Sequence, residues 1–390
     1  MRSYMKKVGI LTFHDQLNYG GVLQAFALRQ TIDTLPSHKA EIIHLWHDTR
    51  NAALLGKEDN PNIPFFSRLR NRRKAKKRPY GRQAFTQRRL KTKALIEKEL
   101  QISSRTYRKG SELKRLPWYD TVVVGSDQVW NPFLIPTGAP EKNAFLGVSL
   151  PPNQRRVAYA ASFGVSELPT EYYPAYCKYL QTFAHVTMRE QSGAALYAKI
   201  TGATEPEVVL DPTLLLSASD WHTIVADRKR PTTPYLVCYW IGDLTIESRD
   251  WLASLSDAYQ MPVLLLMSHL LPINLDVPGN VIPCYDADPF DFIALIEGCE
   301  GIVTNSFHGL CFAANFGKKA GFFRPINGTS SRIENFLKRY QVQAILHSSE
   351  GFLKGELSLN EFKMVSLNAI RALLDADVRQ SITLLSKMLS

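Results

Sequence analysis

The feature that most constrains this chain is an alternation. Short apolar, β-rich runs of strand length recur along almost all of it, and stretches of helical period separate them. In the first half the runs predict strands over residues 7–13, 40–46, 119–125, 156–162, 185–189 and 207–210. Helices are predicted between them over 22–34, 83–100, 171–182 and 193–201. In the second half strands fall at 235–241, 262–267, 281–285, 301–305 and 319–323, and helices at 248–259, 289–299, 308–316 and 331–340. Such βαβ alternation calls for open, mostly parallel sheets covered by helices on both faces.

The chain has 390 residues, enough for two cores, and both halves carry enough strands for a sheet of their own. The expected fold class is therefore α/β, with two Rossmann-like domains facing a central cleft. The break falls in the polar, Pro-containing stretch 211–233, with Arg228-Lys229-Arg230-Pro231 near its end. This puts an N-terminal domain at 1–215 and a C-terminal domain at 230–362. The last segment, 363–390, has helical period, with Leu367, Ile370, Leu374, Val378, Ile382 and Leu385 near one face. It is expected to cross back and complete the first domain.

Several classes drop out. Apolar residues are 45% and charged residues 21% of the chain, which excludes a disordered chain or a fibre. No apolar stretch approaches the roughly 20 residues of a membrane span; the densest run, 262–267, has core-strand length. His14 and Asp15 end the first apolar run too early for a signal peptide. Five cysteines without a CxxC pair suit free thiols in a reducing cytoplasm. No metal site is expected: His44-Leu45-Trp46-His47 lacks partner ligands, and Asp286-Ala287-Asp288 reads as a helix start, with Asp288 as N-cap, Pro289 at N1 and Asp291 at N3.

The net charge of +11 is a local property. Thirteen of the 47 Lys and Arg residues lie between Arg68 and Lys93, with no acid among them, and the other 34 nearly balance 36 Asp and Glu. This basic segment reads as a solvated loop leading into a helix, or as a peripheral contact for an anionic membrane surface beside Phe65 and Phe66. Nucleic acid is not expected, because no recognition fold or interleaved stacking aromatics accompany the charge.

Three strand ends carry the residues with chemical potential. The first strand runs into His14, Asn18, Tyr19, Gly20 and Gly21, a Gly-rich turn before a helix; the same pattern suits a tight turn or a site for an anion or polar ligand. The third predicted strand ends in Gly125-Ser126-Asp127-Gln128, which presents Asp127, a candidate base, and Gln128 to the crevice or caps a turn. Thr304-Asn305-Ser306-Phe307-His308-Gly309 is the sharpest. A strand delivers Ser306 as N-cap and His308 into the first helical turn, where the helix dipole favours anions. Downstream, a Gly/Ser loop carries Arg324 and Arg332, a setting suited to phosphate. Arg189 stands at another strand end, as an anion ligand or as an ion-pair partner of Glu190 or the other domain.

These pieces, in this order, resemble the polysaccharide pyruvyl transferase family. The carrying residues are Gly9 to His14 with Asn18-Tyr19-Gly20-Gly21-Val22-Leu23-Gln24-Ala25, then Val124 to Pro132, Tyr159 to Gly164, Met188-Arg189-Glu190, Leu210-Asp211-Pro212-Thr213 and Asn305 to Gly309. The resemblance implies a GT-B-like pair of Rossmann domains and transfer of the enolpyruvyl group of phosphoenolpyruvate, a co-substrate rather than a resident cofactor. The acceptor would be two hydroxyls of a sugar in a bacterial surface polysaccharide or its lipid-linked precursor, giving a cyclic ketal and phosphate. It matches Arg189 to the family's donor-holding arginine and His308 to the histidine of its C-terminal Arg-x-His motif. Since the enol carbon needs an acid near neutrality, His308 is expected as that catalytic acid, with Asp127 beside it. Arg189, Ser306, Gly309 and Arg332 are expected on the donor, and His14, Asn18, Tyr19, Gly20 and Gln128 on the acceptor. Ser306 stands where some characterised members carry arginine, and Arg332 is the expected replacement for that charge. The rival readings are a glycosyltransferase of the same fold using a nucleotide sugar, and a non-catalytic binder of anionic surfaces.

Overall fold

A computed structural model describes residues 4–15, 17–45, 79–134, 143–267, 277–325 and 331–390. The basic residues 68–78 and the loop 326–330 lie outside the described residues.

Five strands build the first sheet: β1 (Lys6–Leu11), β2 (His38–Ile42), β3 (Thr121–Val124), β4 (Arg156–Ala161) and β5 (His185–Met188). Their order is β2-β1-β3-β4-β5, and every pairing is parallel. The second sheet contains β6 (Leu236–Trp240), β7 (Val263–Met267), β8 (Val281–Pro283), β9 (Gly301–Thr304), β10 (Lys319–Phe323), β11 (Leu346–His347) and β12 (Val365–Ser366). It runs β11-β10-β9-β6-β7-β8 in parallel, with the short β12 antiparallel on β10. Strands such as β3 and β6 are buried throughout, as parallel strands covered on both faces must be.

Each sheet reverses its winding beside its first strand, between β1 and β3 and between β6 and β9. Loops leaving the carboxyl ends of such strands open onto a crevice. In the first sheet these loops lead into α1 (Tyr19–Thr34) and α4 (Gln191–Thr201); in the second, into α6 (Ile246–Tyr259), α8 (Phe307–Asn315) and α9 (Ser331–Arg339). The start of α7 (Pro289–Gly298) follows its sequence: Asp288 caps it, Pro289 sits at N1, and Asp291 closes the capping box.

Two readings of the sequence need correction. Residues 207–210 form no strand but a single bridge, Val208 to Met188, between Pro206 and Pro212. The stretch 211–233 is not simply a polar linker, because it contains α5 (Ala218–Ile224) with a Ser217–Asp220 capping box. That helix buries Trp221 against Phe26 of α1 and Phe312 of α8, at ring separations of 5.8 and 5.3 Å. Its local polarity reflects one exposed face; its one large aromatic residue decides where it packs.

The last helix, α11 (Arg371–Leu389), lies against the first sheet. Ser381 Oγ accepts from Leu210 N–H, Arg155 donates to Met388 O, and Lys6 Nζ donates to Leu389 O. It is also tied to α9 through Arg339 and Asp377, at 2.8 Å.

Part of the basic segment is structural. In α2 (Pro79–Glu99), Arg88 is buried and donates to Leu17 O and Met267 O, both at 2.6 Å. Its guanidinium lies 4.0 Å from the centre of the Tyr19 ring, and Lys91 reaches Asp286 at 3.2 Å. Helix α2 therefore braces loops from both sheets, which a run of like charges in the sequence does not announce. Among the described residues no helix is long and apolar enough to cross a membrane.

Candidate active site

Beyond β1 the chain passes His14 and reaches Asn18, whose side chain caps α1 by accepting from Gly20 N–H at 3.1 Å. Gln24 Nε2 lies 2.9 to 3.0 Å from Thr12 Oγ1, Phe13 O and Gly21 O, pinning the loop to its own helix. At Gly20 the two sheets' loops touch: a Cβ there would fall 2.0 Å from His308 Nδ1. Only a residue without a side chain permits that approach.

After β3, Gly125 and Asp127 both take positive φ, 111° and 75°. Aspartate tolerates this region because its carboxylate bonds locally, and Asp127 Oδ1 accepts from Gln128 N–H at 2.8 Å. A bulge at the end of β4, with Ala160 at φ 47°, shifts its register against β5, and Asp127 bridges to Ala161 just beyond it. Since β5 stops at Met188, Arg189 and Glu190 leave the sheet at the same rim.

Arg189 is the hub of a buried charge cluster. Its Nη1 lies 2.9 Å from Asp211 Oδ2, its Nη2 3.5 Å from Asp127 Oδ1, and its Nε 3.7 Å from Glu190 Oε2. Glu190 Oε1 accepts from Ser162 Oγ at 2.6 Å. Asp211 Oδ1 accepts from the Thr213 N–H and hydroxyl at 3.0 and 2.8 Å. From the second sheet, Ser306 caps α8 by accepting from Gly309 N–H at 3.3 Å and sets His308 in the first turn. His308 Nε2 then lies 3.6 Å from Asp211 Oδ2. Arg332, in the first turn of α9, shares the Phe307 ring with Arg189, their guanidinium carbons 5.7 and 5.2 Å from its centre.

Burial alone would push the Asp127 and Asp211 carboxyls up. The opposing charges prevail: Arg189, His308 and Arg332 hold Asp127 below its usual range, and His308 with Arg189 hold Asp211 far below it. Arg189 is correspondingly held on its proton by Asp211, Asp127 and Glu190 against the cost of burial. For Arg332 burial prevails, with Arg189 adding to it, and its affinity for a proton falls. This guanidinium is the cation of the cluster least compensated by carboxylates, and its Nε has no partner.

The expected site residues separate into three groups. Asp127, Arg189, His308 and Arg332 come together, with Gly20 against the histidine. Asp127, held below its usual range with Arg189 as the largest opposing charge, is a weak base, and its Oδ1 lies 3.5 Å from Arg189 Nη2 as a charge partner. Ser306 and Gly309 are occupied in capping α8, and a Cβ on Gly309 would meet Thr304 Oγ1 at 2.5 Å. Tyr19 faces no open space: it is buried, stacks on Phe292 at 4.5 Å and donates its hydroxyl to Ala287 O. Its expected place on the acceptor is thus corrected to packing between the two sheets' loops. Gln128 Oε1 accepts from Asn131 Nδ2 beneath Gly164, where a Cβ would come within 1.9 Å of it. His14 is buried, its Nδ1 2.9 Å from Thr12 O, and burial pushes its proton affinity down. Its Nε2 has no partner, so the loop after β1 offers one unoccupied acceptor. Asp211, Glu190 and Ser162 complete the cluster; each lies in a motif that carries the family resemblance, but none is among the expected site residues. Among the described residues no group of His, Cys, Asp and Glu is arranged to hold a metal ion.

Two parallel α/β sheets whose crevice loops converge on a buried arginine–histidine–carboxylate cluster define a GT-B-like protein. By sequence the chain belongs to the polysaccharide pyruvyl transferase family, whose profile matches residues 18–325. No curated protein matches it in sequence. Among solved structures, UGT89C1 from Arabidopsis thaliana is 11% identical, with 99% of this chain and 100% of that chain covered and a TM-score of 0.50. The S. aureus MnaA–UDP co-structure is 11% identical over 90% of this chain and 87% of that one, with a TM-score of 0.49. E. coli heptosyltransferase WaaC with ADP is 11% identical over 95% and 99%, with a TM-score of 0.39. At such identity the likeness concerns fold alone, and of these three only the first carries it.

Proposed function

We propose that this pyruvyl transferase takes its pyruvyl group from phosphoenolpyruvate and places it on two hydroxyls of one sugar, forming a cyclic ketal and releasing phosphate. The acceptor is a bacterial surface polysaccharide or its lipid-linked precursor. The observation that carries this reading is the meeting of Arg189, Arg332 and His308 at one crevice. A donor with a phosphate and a carboxylate needs guanidinium groups and helix N-termini, and its enol double bond needs an acid. In this reading Arg189 and Arg332 hold the donor. His308, with an unpartnered buried Nε2, protonates the methylene carbon. The first sugar hydroxyl attacks the resulting oxocarbenium-like centre. Loss of phosphate and attack by the second hydroxyl close the ketal, with His14 and Asn18 on the acceptor side. The basic segment would hold the enzyme at the inner face of the plasma membrane, close to a lipid-linked acceptor.

The test is thermal-shift titration with phosphoenolpyruvate beside UDP-, GDP- and CMP-sugars. A ligand that binds only the folded state raises the melting temperature. The expected result is a shift with phosphoenolpyruvate that Arg332→Met abolishes. A response only to a nucleotide sugar would leave the fold intact and overturn the donor.

A further inference from the structure

Asp211 is the least exposed carboxylate of the cluster and the one that faces both Arg189 and His308. Its Oδ1 already accepts twice from Thr213, which fixes the carboxylate in place. Its Oδ2 is shared, at 2.9 Å from Arg189 Nη1 and 3.6 Å from His308 Nε2. The first distance is a charge-assisted hydrogen bond; the second is too long for one by less than an ångström. We propose that Asp211 is a positioning residue that exchanges partners: the anionic donor draws Arg189 toward itself, and the released carboxylate holds a solvent-derived proton on His308. This rests on the phosphoenolpyruvate reading above and adds the timing of the acid's formation.

Charge balance favours the exchange. Asp127 after β3 and Asp211 act on His308 directly, and these carboxylates share their charge with Arg189 after β5, which Glu190 flanks, and with Arg332 on α9. On its own helix, burial pushes the Cys311 thiol up and keeps it neutral, while the Gly20 turn brings no charged side chain against the ring. Two guanidinium groups against three carboxylates leave this set at −1 before the imidazole is counted. A donor carrying phosphate and carboxylate drives it further negative in a buried setting, where uncompensated charge is costly. Histidine is the side-chain type whose ordinary protonation falls near neutral pH, and His308 is the histidine of this set. The protonated imidazole is therefore favoured more strongly in the donor complex, where a methylene carbon awaits its proton, than in the empty enzyme.

Calorimetric titration of the full chain with phosphoenolpyruvate, in buffers of different ionisation enthalpy, reads protons taken up on binding. At pH 8 the donor phosphate has no proton of its own to release. The wild type is expected to take up a proton fraction that both Asp211→Asn and His308→Gln lose. The alkaline-limb pKa of kcat, which reports the complex, should exceed that of kcat/KM, which reports the free enzyme, and Asp211→Asn should erase the difference. Binding without proton uptake in the wild type, or uptake that persists in Asp211→Asn, overturns the exchange. Should Asp211→Asn fail to fold, undiminished uptake in His308→Gln does the same. If phosphoenolpyruvate gives neither heat nor thermal shift, the donor reading itself falls, and the exchange with it.

Discussion

Glycine 20 has the largest predicted effect for the smallest change. A methyl group there would meet His308 Nδ1 at 2.0 Å, so Gly20→Ala must displace the ring or part the loops. Misplacing a reacting group by about 1 Å costs on the order of 100-fold in rate. Gly20→Ala should therefore lower kcat by about that factor with little loss of stability, while Gly279→Ala, with nothing within 4 Å, should leave kcat unchanged. Steady-state kinetics beside thermal melts separates the two. Asp127 and Asp211 make the second residue-scale prediction. Both carboxyls sit below their unfolded values in the fold, so their stabilisation is fully present above about pH 4 and is lost as pH falls through the folded values. Asp211→Asn should cost about 3 kcal/mol at neutral pH, because it leaves Arg189 short of a buried partner. Its stability should also decline less steeply in acid than that of the wild type, as read from urea unfolding at a series of pH values.

Among the elements, α2 and α8 show how unevenly a sequence reveals its own roles. The start of α8 is legible because capping is local: Ser306 and Gly309 are three residues apart, and the strand ends just before them. The role of Arg88 is not, since in the sequence it is one of thirteen similar charges and its acceptors, Leu17 and Met267, are remote from it. Arg88→Met should leave two buried carbonyls without their donor and lower stability by about 2–3 kcal/mol. Lys91→Ala, which removes an exposed pair with Asp286, should cost less than about 1 kcal/mol. Chemical denaturation of both variants checks the contrast, and equal losses would reject the brace.

For the whole molecule, the two sheets share one apolar core. A single cluster of buried side chains runs from Val8, Ile10 and Phe26 through Trp221 to Val237, Phe292 and Phe312. An interface of that kind behaves less like a mobile hinge than like continuous interior. Calorimetry of the wild type should show one cooperative transition. Trp221→Ala should remove about 3–5 kcal/mol, the cost of emptying a large aromatic site, and split the transition into two. Two transitions already present in the wild type would contradict a shared core.

Strand and helix periodicity, the cap at Asp288, and the strand-to-helix placement of His308 were all legible in the sequence, because each depends on residues a few positions apart. The order of the motifs also marked the family. Only the tertiary structure brought Asp127, Arg189, Asp211, His308 and Arg332 into one cluster, turned Tyr19 inward and made Arg88 a brace. Ion pairing and burial act between groups far apart along the chain, and their strength is set by distance and desolvation, neither of which a linear pattern records.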